Sequence, residues 1–418
     1  MTYKEHSDLY ILKNLFDRVR NYEGWSNSPA ALTEMAKKPV KKKLLILVDW
    51  YSPGYKAGGP IQSCVNLANA LKKYYEIYVL TSDTDHGDTT PYPGIVANQW
   101  DGNLFPGIQV YYIHAGTFKK TTLSVLINGI DPDYIYLNHL FSPFFVVYPL
   151  WLIWRNKIKG KVILCPRGAL HKSALSEKFY KKMPFLLLCR LVKMNKKIFF
   201  HATNEKEKNE IERFFPHSHI FIADNLPDMN QPLLDFCEKK KGEINCIFIA
   251  RIVPIKNLLY LLDILGKVSV SVSLAIAGPI EDENYWNSCI EKIKELPENI
   301  SVDYIGSVKK EALQKIIQEH HILILPTTGE NFGHSIFEAF LAGRPVLISD
   351  QTPWRQLLEK NTGWDLPLNH PELFRDAIET AGNWEQNDFE KFATGSWNFA
   401  YEFIRNPQLI EKYKLLFS

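Results

Sequence analysis

Two acidic residues in the carboxyl-terminal half have a spacing that could hold a ligand between them. Glu330 lies in a glycine-bearing loop, and Glu338 lies in the helix that the sequence predicts from about His334. The residues 331–334 lead into the first turn of that helix, where backbone N–H groups have no partner and the helix dipole is positive. Such donors favour an anion. A carboxylate on either side of an anion site suits a ligand with hydroxyls on both sides of its phosphates, as in a nucleoside-diphosphate sugar.

Taken alone, the two acids are more simply a loop residue that caps a helix and a solvated helix residue, so other motifs must decide. Arg251 and Lys256 bracket a short turn after the apolar run Cys246–Ala250. Two such cations would neutralise a diphosphate. The arginine would donate two parallel hydrogen bonds, and the lysine would act as a point charge. Gly278 follows the next apolar run, at the same expected sheet edge. The alternative is a pair of exposed loop cations.

A glycine pair lies at the corresponding place near the amino terminus. Gly58 and Gly59 precede Pro60, which suits the first turn of a helix. Without a Cβ, this backbone could approach phosphate oxygens closely. A flexible turn is the alternative, and the spacing is not that of a nicotinamide-binding loop. Lys56 lies in the same loop and is assigned to the acceptor side.

Polar residues follow three further predicted strands. His139 could hydrogen-bond a sugar or acceptor hydroxyl, and Arg167 could bind a phosphorylated acceptor. Both are equally compatible with polar loop positions. Asp83 and Asp85 have the spacing of a metal-binding aspartate pair known from a different architecture. For them we favour a loop-capping role, and no metal site is predicted.

Apolar runs alternate with amphipathic helices twice along the chain, which predicts parallel sheets covered on both faces. The expected fold class is therefore α/β, with two doubly wound, Rossmann-like domains facing each other across a cleft at the carboxyl ends of their strands. The predicted strands of the first series are Leu44–Asp49, Ile77–Leu80, Val110–Ile113, Tyr134–Leu137, Val162–Cys165, Phe199–His201 and Ile220–Ala223. Those of the second are Cys246–Ala250, Leu274–Ala277, Val302–Ile305, Ile322–Leu325 and Val346–Ser349.

The predicted domain organisation has four parts. Residues 1–42 form a helical extension with an amphipathic helix from about Ser7 to Tyr22. Residues 43–228 form the acceptor-side domain and residues 229–395 the donor-side domain. Residues 396–418 form a helical segment that could cross back to the first domain.

Composition supports a folded protein with an uneven charge distribution. The 418 residues, 46% of them hydrophobic, exceed the usual size of a single core, and 13% aromatic content excludes disorder. The net charge is only +3, but residues 1–225 are basic and the remainder acidic. A basic half can face anionic lipid, a phosphorylated acceptor or nucleic acid; solvated lysines are an equal alternative.

Targeting signals and cysteine usage favour a cytoplasmic protein. The amino terminus lacks the apolar core of a secretory signal, and the six cysteines are scattered without paired spacing, as in a reduced protein. The apolar run Leu140–Trp154 is interrupted by prolines and too short to span a bilayer. The basic stretch Lys172–Lys197 is expected to pack on the first sheet as a helix, with membrane contact as the less favoured alternative.

Residues 43–417 resemble the family 4 retaining glycosyltransferases, which have the two-Rossmann GT-B fold. The resemblance rests on the early glycine pair, the turn from Ala250 to Asn257, the pair Ala277-Gly278, and Glu330 and Glu338 with Asn331, Phe332 and Gly333 between them. Each piece is weak by itself, and the combination in this order is specific. The first 40 residues lie outside it.

The resemblance implies roles for the named residues. Arg251 and Lys256 would bind the donor diphosphate, and Glu338 would hold the ribose hydroxyls. Glu330 and the amides of Phe332 to His334 would contact sugar and phosphate, and His139 would lie near the reacting sugar. No metal and no other cofactor would be needed, and the acceptor would attack from the face that the diphosphate leaves.

The function expected from this resemblance is transfer of a sugar from a nucleoside-diphosphate sugar to a lipid-linked or polysaccharide acceptor. The protein would be cytoplasmic, with peripheral contact to an anionic membrane as an option and no nucleic acid partner. Two alternatives stay open: a non-catalytic protein that uses the cleft for binding or scaffolding, and a nucleotide-sugar epimerase. The intact set Arg251, Lys256, Glu330 and Glu338 favours transfer, because a scaffold does not need all four.

Overall fold

The computed structural model describes residues 41–114, 116, 120–176 and 179–418. The predicted amphipathic helix from Ser7 to Tyr22 lies outside these residues. Within them the chain forms two sheets flanked by helices, one of eight strands and one of six. The predicted fold class is thereby confirmed.

The amino-terminal sheet has the strand order β3-β4-β2-β1-β5-β6-β7-β8. All neighbours pair in parallel except β3, which is antiparallel to β4. Its strands are β1 (Lys43–Leu47), β2 (Glu76–Ser82), β3 (Trp100–Asp101), β4 (Ile108–Ile113), β5 (Tyr134–Asn138), β6 (Lys161–Cys165), β7 (Phe199–Ala202) and β8 (His219–Ile222).

The carboxyl-terminal sheet has the order β11-β10-β9-β12-β13-β14 and is parallel throughout. Its strands are β9 (Glu243–Ile249), β10 (Ser271–Ala277), β11 (Ile300–Gly306), β12 (Ile322–Leu325), β13 (Val346–Ser349) and β14 (Gly363–Leu366). The order reverses between β9 and β12, and ligands of doubly wound sheets bind outside the carboxyl ends of the strands at such a point.

Helices cover both faces of each sheet. In the first domain these are α1 (Gly59–Leu71), α2 (Lys120–Ile130), α3 (Tyr148–Trp154), α4 (Lys172–Ser176), α5 (Phe179–Leu191) and α6 (Glu205–Phe214). They continue as α7 (Leu258–Leu265), α8 (Glu283–Lys294), α9 (Lys310–Gln318), α10 (His334–Leu341), α11 (Pro371–Gly382), α12 (Gln386–Arg405) and α13 (Gln408–Leu416).

Strand β1 shows why its sequence folds this way. Leu44 and Ile46 belong to one buried cluster, while Leu45 and Leu47 belong to the cluster on the opposite face of the sheet. Successive side chains of a strand point to opposite faces, so a strand buried on both sides must be apolar at every position. The continuous apolar runs in the sequence thus reflect helices on both faces.

The end of the chain belongs to the first domain. Helix α12 buries Phe389 and Ala393 in the second core, whereas α13 buries Tyr413 and Leu416 in the first. The proposed boundary at residue 395 falls inside α12, and the chain leaves the second domain only at Asn406, where α12 ends.

Within the basic stretch Lys172–Lys197, the described residues include the helices α4 and α5. Leu186 and Cys189 of α5 pack into the first core, as expected for a helix on this sheet. None of the helices in the described part of the chain combines the length and the hydrophobicity needed to cross a bilayer.

Candidate active site

A cavity of about 1010 Å³ lies between the carboxyl edges of the two sheets. Its lining comes from both domains, including the loop after β1, the start of α1, the turn after β9 and the start of α10. Thirteen of the fourteen predicted site residues line it. They are Lys56, Gly58, Gly59, Arg167, Arg251, Lys256, Gly278, Glu330, Asn331, Phe332, Gly333, His334 and Glu338. The cavity is large enough for a ligand of nucleotide-sugar size.

The amino terminus of α10 opens onto this cavity. Gly333 precedes the helix with φ 75°, a left-handed conformation that favours glycine, and no side chain caps the first turn. Gly333, His334 and Ser335 all line the cavity. The free N–H groups and the positive dipole end are therefore available to an anion there.

A second helix amino terminus meets the first across the cavity. Gly58 precedes α1 with φ 65° and ψ −121°, again without a side-chain cap. A Cβ built on Gly59 would lie 3.7 Å from Cδ2 of His334, so the two helix starts are in close approach. Two positive dipole ends, one from each domain, converge on the same space.

Asp85 holds the glycine loop in place. Its Oδ2 accepts hydrogen bonds from the backbone N–H groups of Tyr55 (2.8 Å) and Lys56 (3.1 Å). Asp83 is buried and pairs with Nδ1 of His114 at 2.7 Å. Asp85 thus caps the loop, as expected, whereas the Asp83 side chain contacts His114 and its buried Oδ1 has no hydrogen-bond partner among the described residues. Across the described residues no group of three His, Cys, Asp or Glu side chains has the arrangement of a metal site.

Lys256 and Glu330 form an ion pair inside the cavity. Lys256 Nζ donates to Glu330 Oε1, and the two side chains are only 15% and 14% exposed. Lys256 ends the turn after β9, and Glu330 follows β12, so the strand-order reversal brings them together. A ligand phosphate near Lys256 would share its ammonium group with the Glu330 carboxylate.

Arg251 is held by a carboxylate that sequence reasoning missed. Its Nη1 lies 2.5 Å from Oε2 of Glu281, whose other oxygen lies 3.5 Å from Nε2 of His86 in the first domain. The hydrogen bond from His86 and the charge of Arg251 hold the pKa of Glu281 below its usual range. Gly278, with φ 143°, brings its backbone so close that a Cβ would lie 1.9 Å from the Ala250 carbonyl oxygen.

The carboxylate of Glu338 has no hydrogen-bond or ion-pair partner among the described residues, although Glu338 lines the cavity. Burial raises the pKa of its carboxyl to about 7; Lys310 opposes this shift, and Asp228 adds to it. Lys310 and Asp228 themselves pair at 2.8 Å. A desolvated carboxylate without a partner is suited to accept hydrogen bonds from ligand hydroxyls.

Asn331 and Phe332 hold the loop that leads into α10, and both line the cavity. Oδ1 of Asn331 accepts from Thr203 Oγ1 (2.6 Å) and Asn204 Nδ2 (2.9 Å), both in the first domain. The Phe332 ring is buried, and its carbonyl accepts from Trp354 Nε1 at 2.6 Å. These contacts fix the backbone that leads into α10.

His334 also joins the two domains. Its Nε2 lies 2.8 Å from Oγ of Ser63 on α1. Burial, and then the nearby charges of Arg167 and Lys310, lower the pKa of His334 to about 3. The imidazole is therefore neutral at physiological pH, and its ring acts as a hydrogen-bonding spacer between the helix starts.

The acceptor-side residues have partners within the first domain. Arg167 donates from Nε to Asn138 Oδ1 (2.8 Å), from Nη2 to Tyr136 OH (3.1 Å), and from Nη1 to Asn225. Lys56 pairs with Asp88 at 2.7 Å. Both line the cavity, and an acceptor would have to use their remaining N–H groups or displace these partners.

His139 is the one predicted site residue that does not line the cavity as the structure describes it. Its ring centroid lies 6.3 Å from that of Phe141, and burial with the charge of Lys182 lowers the pKa of His139 to about 4. The left-handed conformation at His139, φ 73°, turns the chain as it leaves β5. Its catalytic role stays a prediction.

Residues 234–392 match the family model described as Glycosyl transferases group 1. An uncharacterized 41.2 kDa protein in the cps region of Klebsiella pneumoniae is 25% identical over 227 residues, 52% of this chain. The chain spans 60% of the length of that relative.

Solved structures share the whole fold. Sucrose-phosphate synthase from Thermosynechococcus elongatus superposes with a TM-score of 0.66 at 14% identity, covering 90% of this chain and 99% of that one. Anabaena HepE in complex with UDP and glucose gives 0.63 at 15% identity, covering 89% and 99%. The chain thus has the GT-B fold, and the match of residues 234–392 to the group 1 model supports a glycosyltransferase.

Proposed function

We propose that this protein is a retaining glycosyltransferase that moves a sugar from a nucleoside-diphosphate sugar to a lipid-linked or polysaccharide acceptor. The observation that carries the proposal is the convergence of Arg251, Lys256, Glu330 and Glu338 with two uncapped helix starts on one cavity. The group 1 match covers the domain that holds these four residues. The complex of HepE with UDP and glucose supports a nucleotide-sugar ligand for a cavity in this fold.

The positive groups suit the departing diphosphate. As the bond to the sugar breaks, negative charge builds on the leaving phosphate oxygens while the sugar becomes oxocarbenium-like. Lys256 and the amides at the start of α10 are already fixed where an anion would bind, so little reorganisation is needed. Each well-placed donor of this kind stabilises the transition state by about 3 kcal/mol.

The two acids suit the two hydroxyl-bearing ends of the donor. Glu338, without a protein partner, would accept from the ribose hydroxyls and govern donor affinity. Glu330, next to Lys256, would contact the transferred sugar and govern sugar choice and turnover. The acceptor would attack from the face that the diphosphate leaves, with a phosphate oxygen taking its proton, and we assign no carboxylate nucleophile.

Nucleotide binding is the first test. A thermal-shift comparison of UDP, GDP, ADP and dTDP should show a rise in melting temperature with one of them, because a ligand that binds only the folded state stabilises it. Incubation with the matching nucleotide sugar and candidate acceptors should then give a product with the donor's anomeric configuration by NMR. A shift without transfer to any acceptor would favour a binding module, and an altered donor sugar would favour an epimerase.

Metal removal should leave transfer unchanged. Lys256, Arg251 and the helix starts would supply the positive charge that a divalent ion supplies in other nucleotide-sugar enzymes. Assays with and without EDTA, followed by added Mg²⁺ or Mn²⁺, measure this. A strict requirement for either ion would point back to Asp83 and Asp85 and overturn the metal-independent mechanism.

The acceptor class is supported by the relative in the cps region of Klebsiella pneumoniae. Growing surface glycans are commonly assembled on lipid carriers, so an enzyme of this kind would act at the inner face of a membrane. We therefore include peripheral membrane placement in the proposal.

A further inference from the structure

One face of α5 presents large apolar side chains to solvent. Tyr180, Leu187, Leu188 and Leu191 are between 57% and 71% exposed, and Pro184 is exposed between them. Their spacing places all five on one stripe of a helix with 3.6 residues per turn. Scattered exposed apolar residues are ordinary, but a continuous stripe on one helix marks an interaction surface.

The opposite face of α5 is already buried, so the stripe is not the core-facing side of a displaced helix. Leu186 and Cys189 lie in the first-domain core with 3% and 5% exposure. A helix on a protein surface normally turns polar residues outward, and a helix that is apolar all round is normally covered on all sides. The outer face of α5 therefore lacks a cover within the described chain.

The surroundings of this stripe are strongly basic. Between residues 134 and 200 the sequence has thirteen Lys and Arg residues and a single acid, Glu177. Lys181 and Arg190 are exposed on α5 itself, and Lys193 is exposed just after it. A covering surface must therefore be apolar at its centre and negatively charged around it.

Two exposed tryptophans lie near the segment that follows α5. Trp151 and Trp154 of α3 are 47% and 40% exposed. Lys197, six residues after the end of α5, donates from Nζ to the Trp154 carbonyl at 3.2 Å, so α3 lies beside the segment that follows α5. Tryptophan and tyrosine are enriched where a protein meets the headgroup region of a bilayer.

We propose that the outer face of α5, with the neighbouring tryptophans, docks on an anionic lipid bilayer. The leucines would enter the boundary between headgroups and acyl chains, while the lysines and arginines would pair with lipid phosphates. A second copy of the chain fits less well, because a two-fold contact would bring two basic rims together. Nucleic acid would satisfy the charges but leave the apolar stripe in water.

The position of α5 links this surface to the cavity. Lys182 donates from Nζ to the carbonyl of Ala174 at 2.5 Å, and Ala174 lines the cavity together with His171. Lys182 lies on the side of α5 opposite the apolar stripe, so a bilayer bound to that stripe would be separated from the acceptor side of the site by this helix. The idea that the bilayer delivers a lipid-linked acceptor to the site rests on the proposed function. The docking of α5 on a bilayer does not rest on it.

Vesicle flotation of the full chain tests the docking directly. The probes are vesicles of phosphatidylcholine alone and of phosphatidylcholine with about 30% phosphatidylglycerol, at low and high salt. We expect binding to the anionic vesicles that weakens with salt. The double variant Leu187→Glu, Leu191→Glu should bind them roughly tenfold less or worse, because it removes apolar contact and adds repulsion.

Leu415→Glu is the matched control, since Leu415 is 62% exposed on α13 and carries no role here. It should bind vesicles like the wild type. Nucleotide-induced thermal shifts should be the same in all three proteins, so failed docking and failed nucleotide binding are separate results. Absence of wild-type binding at low salt, or equal binding by the double variant, would overturn the proposal. So would a wild-type dimer that the double variant makes monomeric.

Discussion

Replacing Lys256 by alanine should lower kcat/KM for transfer by a factor on the order of 10² to 10³, about 3 to 4 kcal/mol of transition-state stabilisation. The ammonium group lies inside the cavity, 15% exposed, where water screens it little. Its loss would leave Arg251 as the remaining side-chain cation for the leaving diphosphate, and it would leave Glu330 without its partner. Steady-state kinetics with the identified donor measure the effect, and circular dichroism checks that the fold is retained.

The double variant Lys256→Ala, Glu330→Ala tests whether the two residues act on the substrate or only neutralise each other's charge. If the two residues served only each other, removing both would restore much of the lost activity. Because we assign Lys256 to phosphate and Glu330 to the sugar, Glu330→Ala alone and the double variant should both be severely impaired. Lys309→Ala is the control, since it removes an exposed lysine from the same cavity lining and should keep near-normal turnover. Near-normal turnover of Lys256→Ala would refute the site assignment.

Donor affinity should depend on pH through Glu338. The ionised carboxylate is the form that accepts from two ribose hydroxyls, and burial raises the pKa of this group to about 7 in the free protein. Binding of the nucleoside diphosphate should therefore be about tenfold weaker at pH 6 than at pH 8. Near pH 7, binding should also release protons from Glu338. Titration calorimetry in buffers of different ionisation enthalpy measures both quantities.

Glu338→Gln should flatten this pH profile, weaken nucleotide binding and yet stabilise the unliganded protein. Below about pH 4.5 the carboxyl is protonated in both folded and unfolded states, so the variant and wild type should unfold alike. As pH rises towards 7, only the unfolded state ionises freely, and the wild type loses stability that the amide keeps. At pH 8 the free energy of unfolding of the variant should exceed that of the wild type by about 2 kcal/mol. This is less than the full pKa shift of Glu338 would give, because the side chain is partly exposed to solvent.

Thermal unfolding at pH 4.5 and pH 8, compared with Glu359→Gln at an exposed position, measures the stability effect. Unchanged stability at pH 8, or nucleotide affinity equal to the wild type, would show that Glu338 is solvated and does not hold the ribose.

The sequence was sufficient for the groups that lie at strand ends. Arg251, Lys256 and Glu330 could be placed because the ends of parallel strands must meet at one edge, whatever the details of the loops. The contacts that fix them could not be predicted. Ser63 and His334, for example, are 271 residues apart, and only the packing of two domains brings them to 2.8 Å. Nothing in the local pattern at either residue indicates the other.

Asn204 shows an intermediate case. Its side chain caps α6 by accepting from the Glu207 N–H at 2.8 Å, a contact between residues only three apart. Its second role, donating to Asn331 across the cavity, depends on how the domains meet. For the basic stretch that contains α5, the sequence favoured a helix packed on the first sheet, and Leu186 and Cys189 do pack there. Which leucines would face the core could not be predicted, because leucines occur on both faces of that helix.

The return of α13 to the first domain has a consequence for how the protein is made. Tyr413, Leu416 and Phe417 complete a core that begins with Leu44 of the first strand, and Lys161 donates to the carbonyls of Leu416 and Ser418. A ribosome synthesises Leu44 more than 350 residues before it reaches these partners. The domain made first must therefore wait with one part of its core open until nearly the whole chain has been made. During synthesis, a chain that stops before α13 should leave the first domain more sensitive to protease than the full chain does.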